Sequence, residues 1–291
     1  MKSNELYFVN VFAAGPQGGN PAPIVLHADA LSDVDMKSIA QKYGHESAFV
    51  SEPVDPSHTF CFRFFVPNHE MEMCGHATLG ALWLLRRLGR WTSGQAIIET
   101  KSGLVEARFD QTTQVIAVSQ PNGIIRTVDN PSLVEAALDV LGLEHRDLLH
   151  PVIVNATTSR AKTLVAVKSA ERLNTIRPRL EAVQHLCEAL DSTGLYPFAL
   201  DSERPLSLHA RQFPRSSGYP EDAATGIAAA ALLYGAKYYD LLSPEATGIT
   251  VYQGFAMGRP SRISVSFREP RNVRAGCWMS GPVELTTLDH A

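Results

Sequence analysis

The sequence predicts an α+β fold made of two similar halves, and three observations carry that prediction. Its 291 residues exceed one ordinary domain of about 100–200 residues. Short β-rich runs and helical stretches are mixed without the strict β-α-β rhythm of a doubly wound parallel sheet. One succession of features also occurs twice. "FRFFVPNHEMEMCGHATLGALWLL" runs strand, proline, acidic loop, Gly/Thr-containing turn and apolar helix; "HARQFPRSSGYPEDAATGIAAAALLY" runs through the same order, with Arg63-Phe64-Phe65 echoed by Arg211-Gln212-Phe213.

The elements follow in order. The first half opens with strand-like runs at 6–12, 22–26, 46–52 and 59–66, the last alternating Phe60, Phe62 and Phe64 as a half-buried strand does. Between the second and third, Ser32 with Asp35 three residues on forms a capping-box pattern, and Gly44 closes the helix. Strands resume at 96–100, 104–109 and 114–119, after which "QPNG" marks a turn and domain linker. The second half offers strands at 151–156 and 163–168, a helix over 180–190, and strands at 196–200, 207–213, 248–254 and 262–267. The N-terminal half is therefore expected over 1–120, with 276–291 as a candidate to complete it, and the C-terminal half over 121–275.

Composition narrows the function. Apolar residues make up 45% and charged residues 19%, ordinary for a folded chain. A formal charge of -4 with no Lys/Arg cluster gives no field for nucleic acid, so a small neutral or anionic ligand is the expected partner. The longest apolar stretches, such as 226–236, fall short of the roughly 20 residues a membrane helix needs. Four cysteines, Cys61, Cys74, Cys187 and Cys277, are widely spaced with no C-x-x-C pair, which points to a reducing cytoplasm rather than a disulfide framework.

The chemistry concentrates in residues 68–85. His69-Glu70 begins like H-E-x-x-H, but Met73 occupies the second histidine position, so the paired ligands of a zinc protease are missing. An irregular cluster of His69, Glu70, Cys74 and His76 is the weaker metal reading, and no metal is expected. Cys74 directly precedes a helix start, where the dipole favours a thiolate. A two-base racemase needs a second acid in the equivalent turn "EDAATG", which carries Ala223 and no cysteine, so Cys74 reads as a small buried residue.

Five strings in this order, "GGNPAPIVL" (18–26), "ESAFV" (46–50), "MCGHATLGA" (73–81), "EDAATGIAA" (221–229) and "QGFAMGRPS" (253–261), resemble the phenazine-biosynthesis PhzF-like isomerase family over nearly the whole chain. The resemblance implies a diaminopimelate-epimerase-like fold of two pseudo-symmetric halves. Each half would be a curved, mostly antiparallel sheet wrapped around a central helix, at 75–88 and 225–239, with the active site in the cleft between them. It implies Glu46, His76 and Asp222 as catalytic residues, and Gly75, Ala77, Thr225, Gly226 and Asn20 as substrate-binding ones. It further implies proton movement within a small carboxylate substrate, no metal or organic cofactor, and a homodimer.

The residues suit those roles. A carboxylate beside Ala48, Phe49 and Val50 is partly withdrawn from water, and His76 in a first helical turn is kept neutral by the dipole. Asp222 could equally be an N-cap. Backbone N–H groups at Gly75, Ala77, Thr225 and Gly226 would grip a carboxylate. Two positions depart from the family, Ala223 and Ile227 standing where Pro and Ser are common, which points away from the phenazine pathway's own substrate. A catalytically silent small-acid-binding or interaction protein that keeps the cleft is the alternative.

Overall fold

Ser32 opens the first helix as its capping box predicts. Its hydroxyl accepts from the Asp35 N–H at 3.2 Å, Asp35 accepts from the Ser32 N–H at 2.9 Å, and Gly44 ends the helix in the left-handed region. The computed structural model describes residues 4–217 and 219–286. They form two compact units, one of residues up to Ser119 with those from Ser280 on, the other of Gln120–Met279. Residues 287–291 of the expected closing segment lie outside the described residues. No helix among the described residues is long and apolar enough to cross a membrane.

The first unit contains β1 (Glu5–Val11), β2 (Asn20–Leu26), α1 (Asp33–Tyr43), β3 (Ser47–Ser51), β4 (Phe60–Phe65), β5 (Glu70–Met71), α2 (Gly75–Arg87), β6 (Gln95–Thr100), β7 (Gly103–Asp110) and β8 (Val115–Gln120). The second contains β9 (Ile124–Thr127), α3 (Pro131–Leu141), β10 (Val154–Thr157), β11 (Ala161–Ala166), α4 (Ala170–Asn174), α5 (Leu180–Ala189), β12 (Gly194–Leu200), β13 (Ser207–Ala210), β14 (Phe213–Pro214), α6 (Gly226–Tyr238), β15 (Gly248–Gln253), β16 (Ser261–Phe267) and β17 (Cys277–Ser280). Strand β18 (Val283–Leu285) then pairs antiparallel with β1.

Strand pairing shows the repeat directly. In the first unit β1–β2 is antiparallel, β2–β3 parallel, β3–β4 antiparallel, β4–β6 parallel and β6–β7 antiparallel. In the second, β10–β11, β11–β12, β12–β13, β13–β15 and β15–β16 follow the same alternation. Helices α2 and α6 are each 13 residues long and begin at a glycine, and in each 10 residues are buried. A helix apolar on every side must be surrounded by its own unit. Helix α2 packs on β1, β2 and β3, and α6 on β9, β10, β11, β15 and β16. Gly80 and Gly235 permit that approach: a methyl at Gly80 would lie 2.7 Å from Val9, and one at Gly235 2.2 Å from Leu164.

Strand β4 is not the half-buried strand its alternation suggests. Phe62 and Phe64 are fully buried, but so is Phe65, which packs with Val25, Met36, Ala40 and Phe49 beneath α1. Helices on both faces bury both sets of side chains, as sheets with parallel pairings require. The second unit does the same, placing Leu138, Leu141, Val183 and Leu186 of α3 and α5 against Val165, Leu195 and Phe213. Helix α3 was not anticipated, although Asn130 caps it by accepting from the Ser132 N–H and Pro131 starts it.

Candidate active site

Two loops with one geometry, one in each unit, carry most of the residues singled out from sequence. Cys74 holds the N-cap position of α2 at φ -134°, ψ 108°, and Thr225 that of α6 at φ -124°, ψ 92°; neither side chain caps its helix. The free N–H groups of both first turns are thus left to other partners, and each helix start carries the positive end of its dipole. Each cap also lies four residues after a glutamate that braces the loop. Glu70 accepts from Arg63 Nε at 2.8 Å, and Glu221 accepts from Arg211 Nε at 2.8 Å and Nη2 at 2.7 Å. The guanidinium carbons lie 5.1 Å above the ring of Phe65 and 4.9 Å above that of Phe213.

In the first unit, Glu46, Cys74 and His76 converge. Residue 46 immediately precedes β3, beside the chain that enters α2. The Cys74 thiol donates to Glu46 Oε2 at 3.0 Å and lies 3.4 Å from His76 Nδ1, which is itself 3.6 Å from Glu46 Oε2. Cys74 and His76 are buried, whereas the Glu46 side chain keeps 17% exposure and so a path to solvent. A carboxylate, a thiol and an imidazole in mutual reach can pass a proton among three atoms. Their ligand atoms, all within 4.8 Å of one another, could also hold a metal ion. Glu70, from the irregular metal reading, is turned instead to Arg63 and Lys101.

In the second unit, Asp222 is not the N-cap. It lies three residues before the cap and accepts from Thr225 Oγ1 at 2.5 Å and from the Ala224 N–H at 3.4 Å. Gln253 fixes the same loop, its amide donating to the Asp222 carbonyl at 2.8 Å and to Thr225 Oγ1 at 3.1 Å, while Tyr196 OH donates to Gln253 Oε1 at 2.9 Å. Burial, and then the Asp222 charge, push the Tyr196 phenol well above its ordinary value, which keeps it a donor. Neither Gln253 nor Tyr196 was singled out from sequence. "QGFAMGRPS" contains Gln253, but only the β13–β15 pairing brings it to this loop.

The remaining expected residues lie on or beside the same elements. Gly75 and Ala77 are buried in the first turn of α2, Gly226 begins α6, and Asn20 begins β2 opposite Val11. The structure also corrects the comparison made for Cys74. Its counterpart is Thr225, since both are caps directly followed by the first helical glycine; Ala223 is two residues earlier.

A two-unit α+β chain with repeated strand pairing and a central helix in each unit has the diaminopimelate-epimerase-like fold. Residues 9–281 match the PhzC-PhzF family of phenazine biosynthesis-like proteins, and the chain belongs to that family. It is 29% identical over 280 residues to the uncharacterized isomerase YfhB of Bacillus subtilis, covering 92% of each chain. An uncharacterized isomerase of Clostridium acetobutylicum is 27% identical over 275 residues, covering 92% of this chain and 91% of the other. Among solved structures, the Bacillus anthracis phenazine biosynthesis protein of the PhzF family superposes with a TM-score of 0.84 at 26% identity, covering 99% of this chain and 98% of its own.

Proposed function

We propose that the protein is a cofactor-independent isomerase that moves a proton within a small carboxylate-bearing substrate. The observation that carries this reading is the contact among Glu46, Cys74 and His76 at the start of α2. Glu46 takes the proton from the substrate carbon and returns it at a second position. The thiol steadies the resulting change of charge, since it can donate to the carboxylate and stays within reach of the imidazole. His76 accepts or gives back a proton at the same oxygen. Asp222, held by Thr225 and by the Gln253 network, is the second proton-carrying group, and Asn20, Gly75, Ala77, Thr225 and Gly226 bind the substrate. Helix starts uncapped by a side chain suit an anion, which supports a carboxylate substrate.

Ile227 supports a change of substrate within the family. It is half-buried in the first turn of α6, where it offers apolar bulk and no hydrogen bond. The test is incubation with a panel of small carboxylic acids in deuterium oxide, with incorporation followed by NMR or mass spectrometry. Deuterium entering one acid class at a carbon near its carboxylate supports the reading. Tight binding without exchange in any acid that binds replaces it with a small-acid-binding protein. The homodimer and the cytoplasmic location remain part of the proposal, the first tested by sedimentation.

A further inference from the structure

The atoms that meet at the start of α2 are one sulfur, one ring nitrogen and one carboxylate oxygen, a donor set suited to a thiophilic divalent cation. Their separations are 3.0 Å for Cys74 Sγ to Glu46 Oε2, 3.4 Å for Cys74 Sγ to His76 Nδ1 and 3.6 Å for His76 Nδ1 to Glu46 Oε2. A point about 2 Å from all three lies inside that triangle. Zinc bonds cysteine sulfur at about 2.3 Å and histidine nitrogen or carboxylate oxygen at about 2.0–2.2 Å. An ion slightly out of the plane of the three atoms therefore satisfies every bond with little movement of the backbone.

We propose that Glu46, Cys74 and His76 form a zinc site whose occupation switches off the groups that otherwise carry protons. The binding half of this proposal stands on geometry alone; the inhibitory half rests on the isomerase reading above. Among the described residues no other group of three such side chains meets this spacing. The contacts of His58 with Glu99 and of His209 with Asp201 bring together only two ligand-bearing residues each. Burial of Cys74 and His76 fixes two of the donors, and the partly exposed Glu46 provides the entrance.

The charges and protons balance. Binding exchanges the thiol proton for the ion, releasing one proton to solvent, and the neutral imidazole gives its lone pair. Thiolate and carboxylate together then offset the two charges of the cation. Three protein ligands leave a fourth position for water or for a carboxylate of the substrate.

The test titrates the full-length protein with zinc against a competing chelating dye, and in parallel with cobalt(II). One zinc ion per chain is expected, with affinity falling at least about tenfold in Cys74→Ser and in His76→Asn and unchanged in Cys61→Ser. The cobalt form should show thiolate charge-transfer absorption that Cys74→Ser lacks. Because this band is read on the unsubstituted protein, a variant that misfolds does not decide the matter. No stoichiometric uptake, uptake of equal affinity in both variants, or a cobalt complex without thiolate absorption overturns the site. Exchange by the zinc-free protein should fall to background when one zinc per chain is added and return with chelator; exchange undiminished in the zinc-loaded protein overturns the switch. Zinc uptake with no exchange by the zinc-free protein on any acid leaves the site standing and defeats the isomerase reading; exchange by the zinc-free protein without zinc uptake does the reverse.

Discussion

In the first unit the residue ahead of Ser47 is Glu46, the cap of α2 is Cys74 and the second residue of α2 is His76. The same positions in the second unit hold Gly194, Thr225 and Ile227. Register fixes the correspondence. Ser47 pairs with Phe65 and Leu195 with Phe213, which sets Gly194 in the place of Glu46. Phe64 pairs with Met71, and Gln212 bridges Asp222, which sets Asp222 in the place of Met71. One backbone plan thus carries two chemistries. The first unit gathers a carboxylate, a thiol and an imidazole around the cap. The second moves its carboxylate to the loop before the cap and steadies it with Thr225, Gln253 and Tyr196. The repeat supplies two helix starts, while single residues at matched positions decide which side chains meet at each of them.

The two loop braces offer the largest way to break this correspondence. Arg211 and Glu221 are both nearly buried, and Arg211 also donates to the carbonyls of Leu173 at 3.2 Å and Ile176 at 2.8 Å. Arg211→Met leaves the buried Glu221 carboxylate without its partner and takes one donor from each of two carbonyls, and should cost about 3–5 kcal/mol in denaturant unfolding. Its counterpart Arg63 is more exposed and holds Asp33 at the surface, so Arg63→Met should cost distinctly less. Equal losses would mean that the braces are not placed as described.

Gly194 comes next. A methyl there would stand 2.1 Å from Gln212 Nε2 and 2.9 Å from the Phe213 carbonyl, in a position where the first unit carries a full glutamate side chain. Gly194→Ala should therefore destabilise by about 1–3 kcal/mol, measured as a shift in denaturation midpoint at unchanged slope. Tyr196→Phe removes the donor to Gln253 Oε1 and should cost about 1–2 kcal/mol, with a loosened α6 start visible as faster amide exchange in residues 222–226. The smallest effect concerns the second unit's thiols. Burial pushes Cys187 up to about 11 and Cys277 up to about 12, so neither forms appreciable thiolate at neutral pH. Iodoacetamide should leave both unmodified in the folded protein and label them only after denaturant is added, as read by mass spectrometry.

Much of this was legible in the sequence, for reasons that vary by residue. The central helices run 75–87 and 226–238 where 75–88 and 225–239 were expected, because glycine, small residues and an apolar run mark both starts and both bodies. Arg63 and Arg211 were visible as echoes, though their partners were not. The burial of Phe65 was hidden because alternation reports one face, and α1 covers the other from outside the window. The Cys74–Glu46 contact spans 28 positions and depends on the β3–β4–β5 pairing that precedes α2, so no spacing rule reaches it. Cys74 read as a small buried residue, as it is, but its counterpart was sought at Ala223 rather than at Thr225.

The central claim, that Glu46 is the group exchanging protons with the substrate, is tested most directly by deuterium incorporation in Glu46→Gln. That substitution keeps the size of the side chain and its ability to accept from Cys74, but cannot take a proton from carbon. With thermal stability close to the parent's, the account predicts exchange reduced by about 10²–10⁴-fold while the acid still binds. Exchange at the parent's rate in that variant would contradict it.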